Sequence, residues 1–276
     1  MPLPSSAPST TPRTQIERPG TRPTVEWLPV MLFSIIALGL SFPVQRGYLD
    51  AAFAALVGDT VLAGLPYLLA GFSTLTATLV GLAMHRGLPK TITVFGDDVL
   101  KNTAIGLLPV VAFALVGREK SDGINAWLYG ALMASVALVY AFAEEIGWRR
   151  YLQNALNPLH PSAKYLLIGA VWWLWHFRFD TAFDLVVFPL ICLGGGYLLG
   201  RLADDTRSLL PVVAMHSLVT LTTTTGSFGV REIAAIALVF SGWFVIERLW
   251  LHQARCLADG RPPVSLPSRK PDRSSQ

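Results

Sequence analysis

Residues 123–156 read GINAWLYGALMASVALVYAFAEEIGWRRYLQNAL, and this stretch decides the class of fold. Its first part, residues 123–143, carries no charged side chain and is long enough to cross the hydrocarbon core of a bilayer as a helix. Two adjacent glutamates and two arginines then follow. These charges either mark the point at which the helix leaves the membrane, or they are carboxylates held inside the membrane for chemistry.

The composition of the whole chain extends this interpretation. Of 276 residues, 52% are hydrophobic and only 14% are charged, with a mean hydropathy of +0.48. A soluble protein has about a quarter of its residues charged. The apolar residues occur in runs and not in amphipathic stripes, so we predict an all-α, polytopic membrane helix bundle with about eight transmembrane helices. The predicted spans are residues 27–45, 60–84, 102–117, 123–143, 165–177, 185–200, 208–230 and 233–246.

The runs form one domain, because no long polar stretch divides them. We predict a single transmembrane domain at residues 27–251, between a disordered N-terminal tail (1–26) and a disordered basic C-terminal tail (252–276), both polar and rich in proline. Residues 51–58 form a short apolar piece that is expected at the membrane interface. Cys192 lies in a membrane run and Cys256 in the basic tail, which argues against a structural disulfide.

Lysine and arginine positions predict the orientation. If eight spans begin with the N-terminus inside, most of the 22 basic residues fall in cytoplasmic segments, and both termini are predicted to be cytoplasmic. The net charge of +4 then follows from topology and contact with anionic membrane lipid, so it implies no nucleic-acid partner. The short loops favour a bacterial plasma membrane over an organelle membrane. In the predicted orientation, the basic residues on the outer side of the membrane are Arg46, Arg118, Lys120, Arg178 and Arg231.

The two glutamates are predicted to lie inside the membrane. The first strong helix break after them is the segment NPLHPS at residues 157–162, so the fourth helix continues past them and the next begins near Lys164. Glu144 and His176 are equally far from the centre of this hairpin, and His216 enters the membrane from the same side on a third helix. Any one of these residues is equally well explained as a structural polar contact. Three ionisable residues at similar depth favour a functional site.

Local spacing suggests different roles for the two carboxylates. Glu145 and Arg149 are four residues apart on one helical face and are predicted to form an ion pair. Glu144 points about 100° away around the helix, and a lone carboxylate in a dry site is a candidate general base. Trp172 lies one turn before His176, and Thr220 lies one turn after His216, where its hydroxyl can bond whatever that histidine contacts.

Small and aromatic residues near these positions are interpreted structurally. The glycines at 194–196 are expected to permit close helix approach. The nearby tryptophans are interpreted as packing or interface residues and not as ligands. They are Trp148, Trp172, Trp173 and Trp175.

Three motifs together resemble the CPBP intramembrane proteases, also called the ABI or CAAX-protease family, which includes the Rce1-type prenyl-protein endoprotease. The segment EEIGWRRYL (144–152) resembles the EExxxR motif of that family. WWLWHF (172–177) resembles its second motif, an aromatic residue four before a histidine, with Trp172 where phenylalanine is usual. LLPVVAMHSLVT (209–220) resembles its HxxxN motif, with Thr220 in place of asparagine. The resemblance covers roughly residues 125–225.

The resemblance implies an intramembrane endopeptidase that acts on a membrane-associated or lipidated peptide. Glu144 with His176 would activate water, and His216 with Thr220 would stabilise the oxyanion. Arg149 would hold Glu145 and the helix pair in place. Either no cofactor or a divalent metal such as zinc is implied, and a metal would be held by Glu144, His176 and His216.

Two other classes of protein remain as alternatives. One is a catalytically inactive scaffold or binding protein that retains the family fold, which the threonine at position 220 favours. The other is an ion-coupled transporter, since carboxylates and histidines inside membranes also relay protons. A transporter is expected to contain inverted repeats, and the sequence has no detectable internal repeat. The signatures of other intramembrane proteases are also missing, since the sequence has neither GxSG within a span nor HExxH.

Overall fold

The computed structural model describes residues 24–57, 65–119, 123–223 and 229–258. Within these ranges the chain is helical and contains no strand, and one isolated backbone bridge joins Thr93 to Ser208. Helices occupy all eight predicted runs, and α2 forms in the apolar piece predicted at 51–58. The α-helices are α1 (Trp27–Gln45), α2 (Asp50–Val57), α3 (Leu65–Met84), α4 (Val99–Val116), α5 (Ala126–Glu145), α6 (Pro161–Trp175), α7 (Phe188–Thr206), α8 (Leu209–Thr223) and α9 (Val230–Ala258).

The helices have the length and surface of a membrane protein. Five helical segments are long and apolar enough to cross a bilayer, and two shorter apolar helices, Leu68–Met84 and Leu209–Thr222, lie among them. Large apolar side chains cover their outer faces, for example Leu115 on α4 and Phe244 on α9. The chain is therefore an integral membrane protein with an all-α polytopic bundle, as predicted. The five segments are Trp27–Gln45, Val99–Val116, Ala126–Gln153, Phe183–Thr206 and Val230–Arg255.

Helix α5 does not end at the glutamates. It continues without a break into a π-helical segment, Ile146–Gln153, so that Ala126–Gln153 forms one membrane-length rod of 28 residues. The rod ends in the predicted turn, and α6 then begins at Pro161, three residues before the predicted start at Lys164. Proline suits the first position of a helix, because its missing N–H has no partner there in any case. Both glutamates lie within this candidate membrane span.

The π-helical segment is fitted closely against α3. A Cβ atom on Gly147 would lie 2.7 Å from Cβ of Thr74, so only glycine permits this approach. The single hydroxyl proton of Thr74 is shared between the backbone carbonyl oxygens of Gly71 and Ala143, at 2.8 and 3.0 Å from the hydroxyl oxygen. Because a π-helix has more residues per turn, it changes the direction in which later side chains point, and such segments are frequent at functional sites.

Helices α6 and α7 approach each other through glycines. A Cβ on Gly196 would lie 2.7 Å from Cα of Gly169, so the two backbones are nearly in contact. Gly195 faces the Trp172 ring, whereas Gly194 has no atom within 4 Å of its added Cβ. The predicted role of residues 194–196 in close helix packing is therefore confirmed for Gly196.

These glycines give a direct test of the packing. Gly196→Ala is expected to lower the free energy of unfolding by about 1–3 kcal/mol, because the new methyl group must push α6 and α7 apart. Gly194→Ala is the matched control and should leave stability unchanged or slightly higher, since alanine favours the helix. Thermal unfolding of both variants in the same detergent measures the difference. Equal stability of the two variants would contradict the close approach.

Helix α9 corrects the predicted start of the C-terminal tail. The sequence predicts a disordered tail at residues 252–276, but the helix continues through His252 and Arg255 to Ala258. The reason is local, because residues 252–258 contain no helix breaker and the first glycine or proline after Leu251 is Gly260. At the other end, residues 24–26 precede α1 without helical structure. The remainder of both predicted tails lies outside the described residues.

Candidate active site

Both glutamates of the opening stretch are fully buried, with no exposed surface on either residue. They are neighbours on the rod formed by α5 and the π-helical segment, and their side chains have different partners. Glu145 contacts Arg149 and His216. Glu144 contacts Trp148 and Trp172. The site therefore divides into two halves that are joined through the adjacent positions of the two carboxylates.

The Glu145 half is a buried ionic cluster. Oε2 of Glu145 lies 3.0 Å from Nε of Arg149, which is the ion pair that the four-residue spacing predicted. None of the three guanidinium nitrogens has a hydrogen-bond partner among the described residues, so this contact is an ion pair by distance and not an aligned hydrogen bond. Oε1 of Glu145 lies 2.8 Å from Nδ1 of His216 on α8. The sequence analysis did not predict this second partner.

The contact with Glu145 fixes the orientation of the His216 ring. A carboxylate accepts hydrogen bonds only, so Nδ1 of His216 carries the proton and donates it to Glu145. The His216 ring packs edge-on against two aromatic rings. The distance between ring centroids is 5.2 Å to Trp172 and 6.3 Å to Tyr140. His216 is itself buried. With Nδ1 bound to Glu145, Nε2 is the nitrogen of His216 that is available for other chemistry.

The Glu144 half is built from aromatic donors. Nε1 of Trp148 and Nε1 of Trp172 both donate to Oε2 of Glu144, at 3.2 and 3.0 Å. Tyr140, one turn earlier on α5, also lies beside this carboxylate. Oε1 of Glu144 has no hydrogen-bond partner among the described residues. One oxygen of the carboxylate is thus held by protein donors, and the other is not.

His176 lies next to this cluster and does not contact Glu144 directly. It follows the last residue of α6, and Phe177 has a left-handed backbone conformation (φ 49°) that ends the helix. Nδ1 of His176 lies 2.7 Å from the backbone carbonyl of Trp172, so Nδ1 carries the proton and Nε2 is left as an acceptor in the neutral ring. The ring also packs against Trp172, with 5.6 Å between centroids. On α6 the hydrogen-bond partner of Glu144 is therefore Trp172, one turn before His176.

Thr220 lies on the same helix as His216, one turn later. Its hydroxyl donates to the backbone carbonyl of His216 at 3.2 Å, a bond within α8. Helical threonines frequently form this bond to the residue four positions earlier. The structure thus connects the Thr220 hydroxyl to the backbone of His216.

The residues suggested as metal ligands do not form a metal site here. Among the described residues, no group of three or more His, Cys, Asp or Glu side chains is arranged to hold a metal ion. Each histidine of the suggested set has Nδ1 bound within the protein, His216 to Glu145 and His176 to a carbonyl. Glu144 directs one oxygen to two indole donors. As placed, Glu144, His176 and His216 are not gathered into a zinc centre. Within the part of the chain that the structure describes, bonds at Nδ1 leave Nε2 of both histidines unbonded, which is also how histidines that bind zinc are oriented.

Sequence analysis missed two members of the site. Trp148 was interpreted as a packing residue, and Tyr140 was not considered. Both are four residues from Glu144, so the helical repeat already placed them on its face. The packing interpretation of the tryptophans is incomplete, because all four indoles also donate hydrogen bonds. Trp173 donates to the carbonyl of Asp184 and Trp175 to the hydroxyl of Ser73.

Comparison with known protein families identifies the segment that carries this site. Residues 125–222 match the family described as type II CAAX prenyl endopeptidase Rce1-like. This segment is similar to the Rce1-like family. The match includes α5 to α8 and every residue of the site described above. No curated protein and no solved structure matches the chain.

The family assignment confirms the resemblance drawn from the three motifs, since the Rce1-like domain is a CAAX-protease domain of the CPBP type. Its matched range nearly coincides with the predicted core at residues 125–225. The Rce1-like family is a family of peptidases, which supports the prediction that this protein is a peptidase.

Proposed function

We propose that the protein is an intramembrane endopeptidase that hydrolyses a peptide bond of a membrane-associated or lipidated peptide by water activated at Glu144. The observation that carries this proposal is a buried carboxylate with one oxygen held by two indoles, beside a histidine oriented by a second carboxylate. These groups lie in an Rce1-like domain. A purely structural polar contact would not require this division of tasks between adjacent glutamates.

Glu144 is proposed as the general base. Its oxygen Oε1 takes a proton from water as the water oxygen attacks the carbonyl carbon of the scissile peptide bond. The same proton then passes to the departing amine nitrogen as the carbon–nitrogen bond breaks, and the base is regenerated. General acid–base catalysis by a positioned side chain contributes about 10²–10⁴-fold to a rate.

His216 is proposed to stabilise the oxyanion of the tetrahedral intermediate. The buried cluster contains the carboxylates of Glu144 and Glu145 and the guanidinium of Arg149, so a protonated His216 would bring its formal charge to zero. Glu145 binds Nδ1 of His216, which leaves Nε2–H to donate to the developing negative charge. Glu145 and Arg149 act through His216 and do not touch the substrate.

His176 and Thr220 are proposed as supporting groups of the same site. The free acceptor at Nε2 of His176 suits a hydrogen bond from the attacking water or from a substrate N–H. It would therefore act together with Glu144 across the Trp172 ring, and not by direct contact with it. Thr220 holds the backbone at His216 through its hydroxyl.

A peptide that ends in a farnesylated Cys-aliphatic-aliphatic-X sequence tests this function. Purified protein in detergent or bilayers is expected to release the last three residues of the prenylated peptide, detected by mass spectrometry. The same peptide without the farnesyl group measures whether the lipid is required. If the protein cleaves neither peptide, and membranes that contain it show no processing absent from membranes that lack it, the scaffold alternative is favoured.

The donor geometry also predicts how the activity responds to metal removal. Hydrolysis of the prenylated peptide is expected to persist after treatment with EDTA and 1,10-phenanthroline, because no described group of His and acidic side chains is arranged as a metal site. Activity before and after chelation, with the metal content of the purified protein, provides the measurement. Stoichiometric zinc whose removal stops cleavage would contradict the mechanism through Glu144 alone.

A further inference from the structure

Two tryptophans from separate helical elements donate to a single oxygen of the Glu144 carboxylate. Trp148 belongs to the π-helical segment and Trp172 to α6, and their indole nitrogens lie 3.2 and 3.0 Å from Oε2. The two residues are 0% and 7% exposed. Oε1 of the same carboxylate receives no hydrogen bond from the described residues. The two oxygens of the Glu144 carboxylate are chemically equivalent, but their surroundings differ, because only Oε2 accepts hydrogen bonds from the indoles.

We infer that Trp148 and Trp172 are positioning residues, which hold Glu144 through Oε2 and reserve Oε1 for the proton of the attacking water. This inference rests on the proposed endopeptidase function. It assigns a specific task to Trp172, whose indole N–H is the donor from α6 to Oε2. The same indole packs edge-on against His216, so one side chain fixes the separation between the base and the oxyanion-stabilising histidine.

The physical basis is the restriction of a torsion that is otherwise soft. The terminal torsion of a glutamate side chain has a broad distribution, so a carboxylate held at one point can rotate and exchange its oxygens. Two donors on different helical elements define both the position and the plane of the carboxylate. Each indole is itself packed against other rings. The ring centroid of Trp148 lies 5.6 Å from that of Phe33 and 6.2 Å from that of Trp175. The ring centroid of Trp172 lies 5.2 Å from that of His216 and 5.6 Å from that of His176. Misplacing a catalytic group by about 1 Å costs on the order of 10²-fold in rate.

A merely structural role for the indoles predicts a different result. If Trp148 and Trp172 only satisfied a buried carboxylate, their loss would reduce the amount of folded protein and leave the turnover of each folded molecule unchanged. A positioning role lowers kcat of the folded protein and leaves KM unchanged, because neither indole binds the substrate.

The experiment measures kcat and KM for the farnesylated peptide with Trp148→Phe, Trp172→Phe and the double variant. Each single variant is expected to lose roughly 10- to 100-fold in kcat, the effect of one hydrogen bond to a charged group, with KM within about twofold. Trp173→Phe is the matched control. It removes an indole on the same helix that donates to the carbonyl of Asp184 at 3.2 Å, and it should retain native kcat.

A spectroscopic measurement tests the hydrogen bonds independently of turnover. The chain has eight tryptophans, and the indole N–H resonances of Trp148, Trp172 and Trp173 can be assigned from the phenylalanine variants in ¹⁵N-indole-labelled protein. Glu144→Gln should shift the first two resonances and leave that of Trp173 in place.

The outcomes separate this inference from the function on which it rests. Cleavage by the native protein with undiminished kcat in both single variants overturns the positioning role and leaves the proposed function intact. Resonances of Trp148 and Trp172 that do not respond to Glu144→Gln also overturn it. Native protein that fails to cleave rejects the proposed function, and the catalytic role of the two indoles fails with it, even if their resonances respond.

Discussion

Glu144→Gln is expected to abolish detectable hydrolysis, with a loss of about 10²–10⁴-fold in kcat. The amide has the same shape as the carboxylate and its oxygen still accepts from the indoles of Trp148 and Trp172, so the fold should be retained. What disappears is the ability of the side chain to take a proton from water. Hydrolysis of the farnesylated peptide, normalised to folded protein after size-exclusion chromatography, provides the measurement.

A buried glutamate outside the site provides the control for this change. Glu232 on α9 is 8% exposed and accepts a hydrogen bond from the backbone N–H of Gly229 at 2.9 Å. Glu232→Gln also removes a buried carboxylate and should leave kcat at the native level. Full activity in Glu144→Gln would reject Glu144 as the base. Equal loss in both variants would point to a general effect on the bundle.

Arg149→Met is expected to reduce the free energy of unfolding by about 3–5 kcal/mol. Arg149 and Glu145 have no exposed side-chain surface, and the distance between Nε and Oε2 is 3.0 Å. Removal of one partner leaves the other charge buried without compensation. Glu145→Gln should have a similar effect. The double variant should be more stable than the sum of the two losses predicts, because it buries neither charge.

An exposed pair with the same spacing is the matched control. Arg201 and Asp205 are also four residues apart, with 3.6 Å between Nε and Oδ2, and their side chains are 66% and 67% exposed. Arg201→Met should change the free energy of unfolding by less than about 0.5 kcal/mol, because solvent screens exposed pairs. Thermal unfolding of all variants in one detergent provides the comparison. A small and equal effect at both sites would contradict the buried ionic cluster.

Particular residues show how far the sequence predicted the fold. The charge-free run at 123–143 and the prolines at 158 and 161 indicated a helix that continues past Glu144 and turns before α6, and the structure has this hairpin. The local sequence was sufficient here, because the length of an apolar run and the positions of helix breakers are local properties. The π-helical form of Ile146–Gln153 was not predicted. It depends on the fit of Gly147 against Thr74, which belongs to another helix.

The ionic cluster was predicted only in part. The ion pair of Glu145 with Arg149 follows from their four-residue spacing within one helix. The bond from His216 to Glu145 joins residues 71 positions apart in the chain, and no local pattern specifies it. The prediction that Glu144 and His176 lie at equal depth placed the correct helices together. It could not show that Trp172 would occupy the position between them.

The sequence by itself determined the membrane-spanning helices, the resemblance of residues 125–222 to the Rce1-like family and the identity of the ionisable residues. Hydropathy, helix breakers and motif spacing are properties of short segments. Only the tertiary structure decided which partner each side chain has. It paired Glu145 with His216 on another helix, in addition to the local Arg149, and it placed two indoles against Glu144. The physical reason is that the partner of a buried polar atom is a group that the packing of separate helices brings near it. That packing depends on glycines and side-chain shapes distributed over the whole chain.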